Sequence, residues 1–133
     1  VAEEGASAGA DLPGFIIAPD GSARGFTIAK SGPFDGTDMA VAADGWVYLL
    51  ERHFSVFTGV QMQIRRFPLA DVKPGAHLVG TVLGRFDMGY EIDNMEAIAV
   101  TAAAGRTVLT LVSDDNFSPI QRTILLRFAV LPD

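Results

Sequence analysis

Residues 39–55, Met39-Ala40-Val41-Ala42-Ala43-Asp44-Gly45-Trp46-Val47-Tyr48-Leu49-Leu50-Glu51-Arg52-His53-Phe54-Ser55, decide the fold class. Two segments of strand character meet across Asp44-Gly45, a dipeptide favoured in tight hairpins where both turn residues take positive φ. Trp46 to Leu50 are apolar at consecutive positions, where a half-exposed strand would alternate. The sheet holding them is therefore expected to be covered on both faces.

Strand signals continue outward in both directions. Phe15–Ala18 and Gly25–Ile28 flank Pro19-Asp20-Gly21-Ser22, the composition of a hairpin turn. Gln61–Phe67 alternates, and His77–Phe86 is an extended run broken by Gly80 and Gly84. Ile98–Thr101 turns through Ala103-Ala104-Gly105 into Thr107–Val112, and Thr123–Val130 puts Ile124, Leu126, Phe128 and Val130 on one face. No window supports a long amphipathic helix; Leu69–Val72 is expected to make one turn before Lys73-Pro74-Gly75 ends it.

The opening stretch also recurs. Ala97–Ser118 repeats its order of short strand, Gly turn, longer apolar strand, charged residues and Phe-Ser, so Glu51-Arg52-His53-Phe54-Ser55 aligns with Asp114-Asp115-Asn116-Phe117-Ser118. Each copy ends in a strand bearing Arg and Phe, Ile64-Arg65-Arg66-Phe67 and Leu126-Arg127-Phe128. The offset drifts between about 59 and 63 residues, longer than the roughly 40–50 of propeller blades, so extra chain must be inserted. The expected architecture is all-β and antiparallel: about two propeller-like blades (repeat units 37–69 and 95–130) preceded by a hairpin, a partial propeller. Residues 1–11, rich in Ala, Gly and Glu, read as a poorly ordered leader, leaving 12–133 as a single β domain. Two blades alone leave sheet edges open, so the chain is expected to associate with copies of itself or with the rest of a larger propeller.

Composition narrows the function classes. The chain has 133 residues and a formal charge of −6, with its ten Lys and Arg scattered, which disfavours a nucleic-acid backbone as partner. Cysteine is absent, which removes disulfides and thiolate chemistry. The apolar runs are strand-length, far below the ~20 residues of a spanning helix. No Gly-x-Ser-x-Gly elbow surrounds any serine, so an esterase triad has no nucleophile, and no Gly-rich loop precedes a helix.

The segments Thr37-Asp38-Met39-Ala40-Val41, Leu50-Glu51-Arg52-His53-Phe54, Asp93-Asn94-Met95-Glu96-Ala97-Ile98-Ala99-Val100 and Leu111-Val112-Ser113-Asp114-Asp115-Asn116-Phe117-Ser118-Pro119-Ile120-Gln121-Arg122-Thr123 together resemble the phytase-like family described as having esterase-like activity. The resemblance runs over about residues 12–130. It implies a β-propeller-like repeat, a secreted or periplasmic bacterial protein of which this chain would be the C-terminal portion, and hydrolysis of ester or phosphoester bonds.

The residues themselves offer one main constellation. Asp93, Asn94 and Glu96 precede one strand, and Asp114, Asp115 and Asn116 follow its hairpin partner, so both groups are expected at the same sheet rim. Hard cations take six to eight oxygen ligands, and Asp93, Glu96, Asp114 and Asn116 supply carboxylates and an amide for Ca2+. Glu96, Asp114 and Asp115 are the candidate catalytic carboxylates, acting on a water beside a bound phosphoester. Arg52 and Arg122 are the candidate substrate-binding cations. The competing reading is structural: Asp and Asn cap turns, the arginines pair with neighbouring carboxylates, and the domain is a non-catalytic module for a ligand or protein. His53, beside Glu51, could move protons, but an exposed loop histidine is the more ordinary reading.

Overall fold

The structure is a computed structural model and describes residues 9–131. Among them are ten strands: β1 (Leu12–Ile17), β2 (Ala23–Ile28), β3 (Asp35–Val41), β4 (Trp46–Ser55), β5 (Gly59–Pro68), β6 (His77–Leu78), β7 (Thr81–Phe86), β8 (Met95–Ala103), β9 (Arg106–Ser113) and β10 (Leu125–Ala129). Two 3-10 turns, Leu69–Asp71 and Met88–Tyr90, complete the regular structure. The expected leader lies outside the described residues up to position 8. Asp11 is fixed, its Oδ1 accepting from the Lys30 N–H at 3.0 Å.

Three sheets form, in the orders β1-β2-β6, β3-β4-β5-β7 and β10-β9-β8. Neighbours are antiparallel except β2 and β6, which run parallel through Thr27↔His77 and Ile28↔Leu78. β3, β4, β5 and β7 thus make one propeller-like blade and β8, β9 and β10 another, and the first hairpin with β6 makes a separate, smaller sheet. The run from His77 to Phe86 is therefore two strands serving different sheets, because the chain leaves the first sheet at Gly80 before entering the second.

The second sheet sits between the others. One face of it carries Val47, Leu49 and Phe67 against Leu12, Phe26, Ile28 and Leu78 of the first sheet. The opposite face carries Tyr48, Leu50, Met62 and Ile64 against Ile98, Leu109 and Leu111 of the third. This two-sided burial is why Trp46–Leu50 cannot alternate. A Leu→Ala truncation at such a site removes both transfer energy and packing, about 2–5 kcal/mol.

Turn chemistry departs from expectation in one place. At Asp44-Gly45 only Gly45 has positive φ (84°), and the Ala42 N–H donates to the Trp46 carbonyl at 2.9 Å to close the loop. The turn with positive φ at both residues is Ala104-Gly105, at 51° and 72°. Asp44 is instead used by its side chain. It accepts from the Trp46 N–H (3.0 Å), the Tyr48 hydroxyl (3.0 Å) and the Thr107 hydroxyl (2.6 Å), the last across the blade junction. Asp38 makes a second tie, its Oδ2 accepting from the Ile98 N–H at 2.8 Å.

A buried polar cluster stands between the first two sheets. Glu51 and Gln63 are fully buried and Arg65 nearly so. Arg65 clasps Glu51 in two parallel bonds, Nε to Oε2 (2.7 Å) and Nη2 to Oε1 (2.6 Å), and gives Nη1 to the Ala29 carbonyl (2.9 Å). Gln63 Nε2 donates to Glu51 Oε2 at 2.6 Å. Every carboxylate oxygen is bonded, which is the condition for tolerating a charge out of water. The aligned segments consequently differ in place: Glu51-Arg52-His53 lies inside β4, whereas Asp114-Asp115-Asn116 lies in the loop after β9 ends at Ser113.

Candidate functional site

Two β-bulges shape the end of the molecule where β4 runs out and β8 begins. In β3 the register steps from Gly36↔Glu51 to Asp38↔Leu50, leaving Thr37 as the extra residue. In β8 it steps from Met95↔Ser113 to Ala97↔Val112, leaving Glu96 as the extra residue. A bulge turns one side chain out of the regular alternation and re-aims it. Both extra residues line one cleft of about 630 Å3 between the second and third sheets.

The cleft is polar. Arg52 and His53 enter it from β4, Asp35 from the start of β3, and Asn94 and Glu96 from the start of β8. Asn116 and Gln121 close it from the loop after β9. Glu96 is held by two groups on the same oxygen: Asn94 Nδ2 donates to Oε1, and Arg52 Nη1 stands 3.6 Å from it. Asn94 is itself buried, so this amide is a fixed support. The Arg52–Glu96 pair also bridges the blades. His53 rests its ring edge-on against Phe34, centroids 6.1 Å apart, and Asp35 is paired with Lys30.

The expected site residues divide. Glu96, Arg52 and Asn116 come together at the cleft, with Asn94 beside them. Asp93 is buried outside the lining: Oδ1 accepts from the Asn94 N–H (2.8 Å) and Oδ2 from the Arg122 N–H (2.9 Å), so it fastens the loop back onto the blade. Asp114 and Asp115 do not line the cleft either. Their Oδ1 atoms accept from the N–H two residues on, Asn116 at 3.2 Å and Phe117 at 2.9 Å, shaping the loop as turn-forming aspartates do. Arg122 faces Glu91 at 3.2 Å, an exposed pair away from the cleft lining.

The candidate Ca2+ donors are partly engaged within the protein. Asp93 has both oxygens engaged, Glu96 faces an arginine, and among the described residues no three His, Asp or Glu side chains group as metal ligands. The lining also includes His53, read from the sequence as an ordinary exposed histidine, and Thr37, Asp35 and Gln121, which the sequence does not mark as site residues. The Thr37 and Glu96 bulges have no sequence signature of their own, because the residue skipped in register is fixed only by the partner strand. What the cleft can do is bind an anion through Arg52, His53 and the amides, and present an immobilised carboxylate beside it.

Among the described residues no helix is long and apolar enough to cross a membrane. Comparison with curated proteins and with solved structures returned no match. A family model does match, over residues 12–117, which runs from the first residue of β1 through β9 and takes in the cleft lining except Gln121, with β10 beyond its end. On that span the chain belongs to the phytase-like family, whose description is esterase-like activity of phytase.

Proposed function

We propose that this phytase-like domain binds small phosphoesters in the inter-blade cleft and hydrolyses them, with Arg52 and His53 holding the phosphoryl group and Glu96 acting as general base on water. The observation that carries the reading is the pair of bulges that aim Thr37 and Glu96 into one cleft beside Arg52. Asn94 and Arg52 both engage Glu96 Oε1, so Oε2 is the oxygen left to take a proton. Attack of that water on phosphorus would break the bond to the ester oxygen and leave inorganic phosphate, with the water's proton passing to Glu96 and from it to the leaving oxygen, which departs as the alcohol. The periplasmic or secreted location implied by the family resemblance belongs to the same reading. Exposed Phe15 and Ile17 on the first sheet, and Val112 and Leu125 on the third, support association with further blades or with copies of the chain.

A second reading is favoured by the other acidic residues. Asp38, Asp44 and Asp93 are spent as ties, which suits a binding module without turnover. The test is hydrolysis of p-nitrophenyl phosphate and p-nitrophenyl acetate, with phosphate binding followed calorimetrically. Glu96→Gln should lower kcat about 100-fold or more, the usual share of a general base, with phosphate affinity retained. Arg52→Ala should instead weaken phosphate binding. Phosphate binding with no turnover of either ester selects the binding module, and turnover unchanged in Glu96→Gln removes Glu96 from the mechanism.

A further inference from the structure

The lips of the polar cleft are apolar to an unusual degree. Phe54 is 64% exposed, Val56 82% and Phe57 94% on the β4–β5 hairpin tip; Phe117 is 104% and Ile120 89% exposed on the loop after β9. Single exposed apolar residues need no explanation, but several at one place on a soluble domain mark a binding surface. Their position follows from the cleft itself. Phe54, Asn116 and Gln121 line it, Phe57 follows three residues after Phe54 on the same hairpin, and Phe117 directly follows Asn116. Phe117 is also held at a φ of 56°, and Asn116 before it at 48°, in the left-handed region that a bulky residue avoids. The Asp115 carboxylate and carbonyl fix that turn by accepting from the Phe117 and Ser118 N–H groups at 2.9 and 2.7 Å. The ring is thus presented on a built turn, with no burial to reward the conformation.

We propose that the ligand of the inter-blade cleft is an amphiphilic phosphate monoester. Its phosphate lies against Arg52 and His53, and its alkyl or aryl substituent lies across Phe54, Phe57 and Phe117. This rests on the reading of the cleft as a phosphate site and adds the class of alcohol carried by the phosphate. The ligand is a dissolved molecule and not a headgroup in an anionic lipid surface. Asp87, Glu91, Asp114 and Asp115 are all exposed or partly exposed around this end, and a chain of charge −6 is repelled by such a surface.

Calorimetric titration with inorganic phosphate, methyl, butyl and hexyl phosphate (each below its micelle concentration) and 1-hexanol tests it. Affinity should rise about twofold per added methylene, half the effect of full transfer from water, because the lips cover one side of the chain. The double variant Phe57→Ser/Phe117→Gly should flatten that rise and leave inorganic phosphate binding unchanged. Phe15→Ser, an exposed aromatic on another sheet, should keep it. These exposed residues contribute little to the core, and circular dichroism checks that each variant is folded. Phosphate binding with no dependence on chain length overturns the proposal and leaves the phosphate site standing. Hexanol binding as tightly as hexyl phosphate overturns it as well, as does binding to phosphatidic acid vesicles without binding of the dissolved esters. Failure of every phosphate to bind overturns the cleft reading and this inference together.

Discussion

Glu51 and Arg65 show what a buried ion pair requires at the level of single residues. With the pair lost from water, stability depends on every oxygen and nitrogen being met, as Gln63 and the Ala29 carbonyl do here. Removing one partner strands the other charge, and such losses run to about 3–5 kcal/mol. Glu51→Ala is therefore expected to lower unfolding free energy by that amount in urea titrations. Glu91→Ala, which breaks an exposed pair with Arg122, should cost under about 1 kcal/mol. Equal costs for the two variants would show that the buried cluster adds no more than a surface pair. In the sequence Glu51 stands next to Arg52 and His53 and reads with them as one charged group. Strand alternation separates them: Glu51 turns to the buried first-sheet side, while Arg52 lines the cleft. Periodicity places residues on faces, but only the neighbouring sheet decides which face is dry.

At the scale of elements, the Asp44 turn couples two blades through one carboxylate. Burial pushes the Asp44 carboxyl up, but the hydrogen bonds from Thr107, the Trp46 N–H and Tyr48 outweigh it and hold it below its ordinary 3.8. Burial, and then the bond to Asp44, raise the Tyr48 hydroxyl above its ordinary 10.0. A depressed carboxyl stabilises the fold above its unfolded value and loses that contribution as pH falls through the folded one. A raised phenol stabilises the fold below its unfolded value and loses that contribution as pH rises. The blade junction should thus be firmest between about pH 4 and 10. Asp44→Asn should flatten the acid limb of the melting temperature against pH, and an unchanged acid limb would remove Asp44 as its cause. The hairpins, the 3-10 turn at Leu69–Asp71 and the all-β class were legible from turn residues and periodicity. The parallel β2–β6 pair was not, because two residues carry no period and their partner lies about fifty positions away. The bulges escaped for a related reason, since register is a property of two strands and a sequence displays one. The acidic cluster was visible as a cluster, but its division into ties and cleft lining depended on those same registers.

Across the whole molecule, the middle sheet is shared by both hydrophobic clusters. β4 places Val47 and Leu49 in one and Tyr48 and Leu50 in the other, so neither can come apart without exposing the second face of the same strand. Unfolding should be a single transition, with far-UV circular dichroism and Trp46 fluorescence tracing coincident curves in denaturant. Two separated transitions would show that the three sheets are independent units. The short parallel ladder bears on how the chain is made. Thr27 and Ile28 find their second neighbours only when His77 and Leu78 exist, so on a ribosome the first hairpin waits with one edge bare while some fifty residues are added. At about 5–20 residues per second that is a wait of roughly 3 to 10 seconds. During it, Phe26 and Ile28 are open to capture by a chaperone, and the order of synthesis, more than the strength of any strand, sets when this protein becomes safe from misfolding.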